Sequence, residues 1–263
     1  MVIIVYAGLA NFAEEQTKYI INMKPKVICH IMASVDGHIQ VEHWSAPYKE
    51  NVSGEFFKVY ADAGQSFSTD AWTFGKNTVR ESFHDITNIF GYTQKDEELD
   101  TPVGQTTFFT GKRQSKRLFI SFDPEANIVY TSSTLRGDDI LAVLPMQVAT
   151  PRYLKMLGRM NISYLVVKDF EKTGQVLEQI NKYFGVKSIS LQGGGSLNGG
   201  MLNSGVIDEL SVVVYPGFDF FKNTVSIFEG VTPTAKKKIR LQFISVQPQL
   251  HGAVWLRYKV LYV

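Results

Sequence analysis

The chain has 263 residues, 44% hydrophobic and 20% charged, with a mean hydropathy of −0.05, which suits one globular α/β domain with a full core. A formal net charge of +2 is too balanced to argue for a nucleic acid or a membrane surface as partner. The single cysteine, Cys29, sits in an apolar stretch as a core thiol; it excludes an intrachain disulfide and a cysteine-based zinc site, and makes a reduced, cytoplasmic setting the default.

Val2 to Ala10 is an apolar run without the basic flank of a signal peptide, and it is too short to span a bilayer. Residues 1–22 then turn polar, and are expected to form an extension outside the main fold, or an over-long start upstream of Met23. The main domain is expected over 23–263. Val27 to Ala33 reads as a buried strand, Gly54 to Phe67 as a helix with Phe56, Phe57 and Tyr60 on one side, and Ala71 to Phe74 as a short strand closed by Gly75. Asn77 to Phe83 looks like the start of a helix, and 84–117 is loop-rich. Leu118 to Phe122 and Asp139 to Leu144 read as strands. Thr150 is placed as an N-cap with Pro151 at the first helical position, and Leu154, Leu157 and Met160 share a face. Ile162 to Val167 is a strand. Thr173 is expected to cap a helix carrying Val176, Leu177, Ile180 and Phe184, stopped by Gly185.

The most informative segment follows. A strand over 187–191 ends in Gly193, Gly194 and Gly195; Ser196 stands where an N-cap belongs, and Leu197, Met201 and Leu202 form an apolar helical face over 197–203. Gly205 sits where a C′ glycine should, and a strand over 209–215 ends the unit. Such a turn gathers bare N–H groups at the positive end of a helix, without side chains that would hold a phosphate away. It predicts a pyrophosphate cradle, against the plainer reading of a tight strand-to-helix connection. Lys236, Lys237 and Lys238 read as a solvated strand edge that discourages sheet-to-sheet pairing. Ile239 to Val246 and Ala253 to Val263 alternate apolar and polar with no helix between them, an antiparallel hairpin at a sheet edge. The order predicts a three-layer α/β fold, with a mostly parallel sheet and a C-terminal antiparallel hairpin.

Gly193-Gly194-Gly195-Ser196-Leu197-Asn198-Gly199-Gly200, followed by Gly205-Val206-Ile207-Asp208-Glu209-Leu210 and a strand ending at Pro216, resembles the pyrimidine reductase domain of riboflavin biosynthesis. Met32-Ala33-Ser34-Val35-Asp36-Gly37 resembles that family's first strand end, and Gly75-Lys76-Asn77-Thr78-Val79 its Gly-x-x-Thr-Val turn. The three motifs occur in the family's order, and the resemblance covers nearly everything after Met23. It implies a dihydrofolate-reductase-like fold, NADPH as cofactor and a homodimer. It puts Gly193, Gly194, Gly195, Ser196, Leu197, Asn198 and Gly199 around the pyrophosphate, with Gly75 and Thr78 beside the cofactor, and Ala33 and Ser34 flanking the nicotinamide. The implied reaction is reduction of a C=N or carbonyl carbon in a pyrimidine- or pterin-like substrate.

The substrate half departs from the family. Gln192 stands where an acid usually precedes the glycines, Glu81, Ser82 and Phe83 follow Thr78-Val79, and Arg80, Arg113 and Arg117 do not align with a ribose-phosphate grip. Gln192 and Trp44 are the candidates for substrate contact, Trp44 by stacking on a planar ring or as a loop aromatic covering the core. Asp36 is either a general acid beside the reactive ring or a turn former before Gly37, and Ser34 is a pocket wall rather than an activated nucleophile. Thr131, Ser132, Ser133 and Arg136 are candidates for a 2′-phosphate. His38 and His43 lack partners at metal-ligand spacing and are read as rim histidines; no metal is expected. The zinc deaminase that often accompanies this reductase needs a Cys-x-x-Cys pair, which one cysteine cannot supply. A nucleotide-binding module of the same fold without turnover is the alternative, and a true riboflavin-pathway reductase with a rearranged phosphate grip is a third reading.

Overall fold

The computed structural model describes residues 24–45, 53–76, 79, 88–89 and 97–263. The expected extension over 1–22 and Thr78 lie outside them. The spine is β1 (Lys26–Ser34), fully buried after its first residue because both faces are covered. The chain continues through α1 (Ser53–Gln65), β2 (Ala71–Phe74), β3 (Asn88–Ile89), α2 (Glu97–Asp100), β4 (Thr107–Phe109) and β5 (Leu118–Phe122). Next come β6 (Ile128–Val129), β7 (Thr134–Leu135), β8 (Asp138–Pro145), α3 (Pro151–Arg159), β9 (Ser163–Val167), α4 (Thr173–Phe184) and β10 (Ser188–Leu191). The last elements are α5 (Gly195–Asn203), β11 (Glu209–Tyr215), α6 (Pro233–Lys237), β12 (Ile239–Pro248) and β13 (Val254–Tyr262).

The main sheet runs β12-β13-β11-β1-β10-β2-β5-β8-β9-β4. From β11 to β9 all neighbours are parallel, and β4 and the β12–β13 hairpin add antiparallel edges. Successive residues of each strand face opposite layers, so one strand feeds two cores. Val27, Cys29, Ile120, Phe122, Leu141 and Val143 pack with Val176, Leu177, Ile180 and Phe184 of α4 and Met201 of α5. On the other face Trp72, Phe119, Ile140, Ala142 and Leu144 pack with Leu154 and Leu157 of α3, and Met32, Val213 and Tyr215 with Phe56, Val59 and Ala63 of α1. This is the expected three-layer fold. Cys29 is the expected core thiol, and burial pushes its pKa up to about 12.

Thr150 caps α3 by accepting from the Tyr153 amide (3.2 Å), with Pro151 at the first position. Gly185 ends α4 at φ +70°. Two caps differ from expectation. Thr173 is the first residue of α4, not its cap; its hydroxyl donates to the Phe170 carbonyl (2.9 Å). The lysine run closes the short helix α6 instead of lining a strand edge, because Thr232 and Pro233 start a helix just before it.

His30 anchors β1 to α1. Its Nε2 donates to the Tyr60 carbonyl (2.9 Å), and Nδ1 accepts from Ser211, whose hydroxyl oxygen accepts from Trp255 Nε1 (2.8 Å). The Tyr60 ring stacks on the imidazole with centroids 4.4 Å apart. Burial holds the imidazole neutral, with a pKa of about 4, against the opposing pull of the Tyr60 carbonyl. An unfolded histidine takes a proton near pH 6.5, so stability is full above that value and is lost as pH falls from about 6.5 toward 4, by up to about 3 kcal/mol. Denaturant unfolding at pH 7 and pH 4.5 checks this: the native protein should lose about 2 kcal/mol more than His30→Gln over that interval.

Candidate functional site

The site lies where the chain changes layers. β10 and β2 are neighbours, yet α5 leaves β10 on one face of the sheet, while the helix containing Lys76 and Val79 leaves β2 on the other. Two helices diverging from adjacent parallel strands open a crevice at the carboxyl ends of those strands, the usual ligand position in an open α/β sheet. The crevice is edged by the two glycine segments. The Gly75 amide donates to the Gly193 carbonyl (2.7 Å), and a Cβ on Gly75 would sit 3.5 Å from Leu197 Cβ and 3.6 Å from the Gly194 nitrogen.

Gly193 has φ +105°, which only glycine adopts comfortably, and the Gly193–Gly194 peptide is cis. Gly194, not Ser196, is the N-cap of α5, and no side chain caps the helix. The first helical bond is donated by Asn198 to the Gly194 carbonyl (3.1 Å). The amides of Gly194, Gly195, Ser196 and Leu197 therefore meet no acceptor among the described residues. Ser196 is exposed beside them. At the far end Gly205 takes φ +69° and its amide donates to the Leu202 carbonyl (3.1 Å), as a C′ glycine should.

Asn198 and Gly199 face elsewhere. Residues 225–229 form a strap across α5: the Asn198 amide group donates to the Ile227 carbonyl (2.9 Å) and the Glu229 amide to the Gly195 carbonyl (3.0 Å). A Cβ on Gly199 would lie 1.7 Å from the Glu229 carbonyl oxygen, and one on Gly195 2.5 Å from that of Ser226. Asn198 and Gly199 thus seat the strap, which corrects the expectation that both face a cofactor. The other side of the strap holds the β1 turn, with the Ile39 amide donating to Val225 (3.0 Å) and the Ile227 amide to Gly37 (3.2 Å). No local motif marked 225–229; the only hint was glycine at two positions one helical turn apart.

β1 has an open edge facing the crevice. It pairs with β11 as far as Ser34, but with β10 only as far as Cys29. Ala33 is buried against Ile31, Ile39 and Ile227. Ser34 donates to Asp36 Oδ1 (2.5 Å), and the Asp219 amide also reaches that carboxylate (3.1 Å). Burial draws the Asp36 carboxyl upward, but the bonds from Ser34, the Asp219 amide and His38 prevail and hold it below the ordinary carboxylate range. An ionised Asp36 has no proton to give at neutral pH; its geometry is that of a turn anchor, not of a general acid.

Other expected positions are engaged within the fold or lie away from the crevice. Trp44 is fully buried, stacked on Tyr215 (centroids 5.4 Å) and edge-on to Phe56, so it cannot stack on a substrate. Gln192 folds back, donating from Nε2 to the Ser190 hydroxyl (3.1 Å). Thr134 pairs with Asp139, and Ile140 donates to Ser133 (3.0 Å), at the amino end of β8; Ser133 and Arg136 are therefore at the opposite end of the sheet from the glycine turn. Arg113 and Arg117 precede β5 and share that end. Arg80 lies outside the described residues.

The sequence matches the family model of the RibD C-terminal domain over residues 25–251. The chain belongs to that family. No curated protein matches. Among solved structures, a pyrimidine reductase-like protein from Corynebacterium diphtheriae is 15% identical, with a TM-score of 0.59 and 93% of this chain and 94% of that one covered. The Saccharomyces cerevisiae riboflavin biosynthesis reductase Rib7 is 13% identical, TM-score 0.56, with 90% of each chain covered. Acinetobacter baumannii RibD is 15% identical, TM-score 0.55, with 90% of this chain matching 58% of that one. At such identities the likeness establishes the dihydrofolate-reductase-like fold.

The glycines of α5 can be separated by substitution. Gly199→Val should cost about 2–4 kcal/mol in denaturant unfolding by displacing the strap. Gly200→Ala, where a Cβ meets nothing within 4 Å, should be neutral or slightly stabilising.

Proposed function

We propose that the chain is a nicotinamide-dinucleotide-dependent reductase acting on a C=N or carbonyl carbon of a pyrimidine- or pterin-like compound. The observation that carries this reading is the set of four unpaired amides, Gly194 to Leu197, at the positive end of α5. A diphosphate bridge would satisfy them together, with the Ser196 hydroxyl beside it and Gly75 leaving room. Thr78, in the resembling motif, is proposed at the same group. Beyond Cys29 the β10 side of β1 lacks a strand partner; with the His30 carbonyl held by Tyr60 and the Ser34 backbone engaged by His38 and Gly37, the Met32 backbone is what remains for a carboxamide such as that of nicotinamide, next to Ala33 and Ser34. Bound there, the dinucleotide would supply the hydride.

The chain's own part is to orient and to exclude water. Asp36 and Ser34 tie the β1 turn to the 216–219 segment and fix the wall beside the reacting ring. With Asp36 ionised, the proton that completes the reduction is assigned to solvent. Membership of a family with riboflavin-pathway reductases favours a 5-amino-6-(5-phosphoribosylamino)uracil-like substrate, and the absence of Arg113 and Arg117 from the crevice end favours one gripped in another way.

The partner we assign is a second copy of the chain. β12 is the terminal strand of the sheet, and its Leu241, Phe243 and Val246 side chains are exposed, an apolar strip that a two-fold contact would cover. No helix among the described residues is long and apolar enough to cross a membrane, and a cytoplasmic setting fits the reading. Sedimentation should give a dimer for the native protein and a monomer for Phe243→Lys; a native monomer would remove this assignment.

Thermal unfolding tests the main reading. NADH or NADPH at 100 times its dissociation constant should add about 2.7 kcal/mol of stability, and Gly194→Leu should abolish the shift. No shift with either nucleotide at millimolar concentration contradicts the reductase assignment. A shift without oxidation of the nucleotide, on adding the pyrimidine intermediate or dihydrofolate, would favour binding without turnover.

A further inference from the structure

The proposed reading, on which this inference rests, puts the diphosphate at the amino end of α5 and the nicotinamide next to Ala33 and Ser34. The strap meets the β1 turn between those two points, and His38 stands at that contact. Ser226 of the strap forms an antiparallel bridge with His38. The Ser226 carbonyl oxygen lies 2.5 Å from where a Cβ on Gly195 would sit, and Glu229 Cγ lies 2.7 Å from the same point. On its other side His38 is tied to Ser34. Its carbonyl accepts from the Ser34 amide (2.9 Å), and its own amide donates to the Ser34 hydroxyl oxygen (3.1 Å). The backbone of His38 thus links the wall of the diphosphate corner to the end of β1.

The two ring nitrogens of His38 have different surroundings. Nδ1 is shut off from solvent and lies 3.3 Å from Asp36 Oδ2. Nε2 has no hydrogen-bond partner among the described residues, and the side chain is 27% exposed, so Nε2 is on the open edge of the ring. Two carboxylates act on this imidazole. Asp36, on its own turn, is ionised as described above. Glu229, from the strap, is held below the ordinary carboxylate range by the amide and hydroxyl of Ser226, against burial, and attracts the ring. The neighbouring Asp219 carboxylate faces Thr224 and His43 instead.

We infer that His38 binds the diphosphate of the dinucleotide through Nε2, at the phosphate nearer the nicotinamide, and that its ring is protonated in the bound state. A neutral imidazole carries one N–H. If that proton points at Asp36, Nε2 is left as an acceptor and repels an anion. Only the imidazolium donates to Asp36 on one edge and to a phosphate oxygen on the other. Histidine changes charge across neutral pH, so nucleotide affinity falls as pH rises. The diphosphate of ADP-ribose stays fully ionised over that range, and the pH dependence therefore belongs to the protein.

The test is calorimetric titration with ADP-ribose at pH 6, 7 and 8, for the native chain, His38→Gln, His38→Lys and His43→Gln. Native affinity should fall at least about fivefold from pH 6 to pH 8, and that of His43→Gln should follow it. His38→Gln should bind weakly at every pH, while His38→Lys, whose ammonium stays charged, should bind tightly at all three. A native affinity that does not change with pH, or the native pH dependence persisting in His38→Gln, would overturn the inference and leave the reductase reading intact. So would His38→Lys binding as weakly as His38→Gln, which would leave the histidine a structural part only. A pH dependence shown by ribose 5-phosphate and not by ADP-ribose would assign the ring to a substrate phosphate and overturn the inference as well. No binding of ADP-ribose to the native chain at any pH would overturn both.

Discussion

A parallel strand that stops short inside a sheet leaves polar backbone with nowhere to go. β10 ends at Leu191, opposite Cys29, while its neighbour β1 runs on to Ser34. The chain then turns through glycines into a helix whose first amides have lost their ladder partners and have no helical ones. Unpaired amides clustered at such a corner need water or a ligand to meet them, and their common direction along the helix axis favours an anion. Gly75 stands directly against this corner: its amide donates to the Gly193 carbonyl, and a Cβ there would touch Leu197 and the Gly194 nitrogen.

The corner must also be kept rigid, which explains why so much of the surrounding chain is committed to non-chemical work. The 225–229 strap joins α5 to the β1 turn, and is seated so closely that Gly195 and Gly199 have no room for a Cβ. Asp36 draws the β11–strap connection onto the end of β1 through the Asp219 amide. The Asp219 carboxylate is itself buried and receives the Thr224 hydroxyl (2.6 Å) and the Phe221 amide (3.1 Å). Polar groups of the kind chemistry uses are thus occupied in holding three separate chain segments together, as a preorganised site requires.

The fold was legible because its signals are local. Buried strands such as Leu118–Phe122 are continuous apolar runs, α3 carries both Thr150 and Pro151, and the final hairpin alternates cleanly. The glycine corner was legible for the same reason: strand, glycines and helix are contiguous. What escaped depended on contacts remote in sequence. Trp44 reads equally well as a ring-stacking aromatic until Tyr215, far along the chain, is found against it. Asn198 looks like part of the phosphate turn until Ile227 takes its amide group. Arg136 follows a predicted strand, but only the pairing of Thr134 with Asp139 tells which end of the sheet it reaches. Thr173 and Ser196 are good capping residues displaced by one or two positions, a distance that local propensity does not resolve.

The central claim is that the amides of Gly194 to Leu197 are donors waiting for a diphosphate, and amide NMR on the labelled chain tests it at those atoms. Addition of ADP-ribose should move the amide resonances of Gly194, Gly195, Ser196 and Leu197 far more than that of Asn198, which already donates to Gly194, or that of Glu229, which donates to Gly195. Saturating ADP-ribose that left those four resonances in place, or moved a different part of the chain instead, would contradict the account.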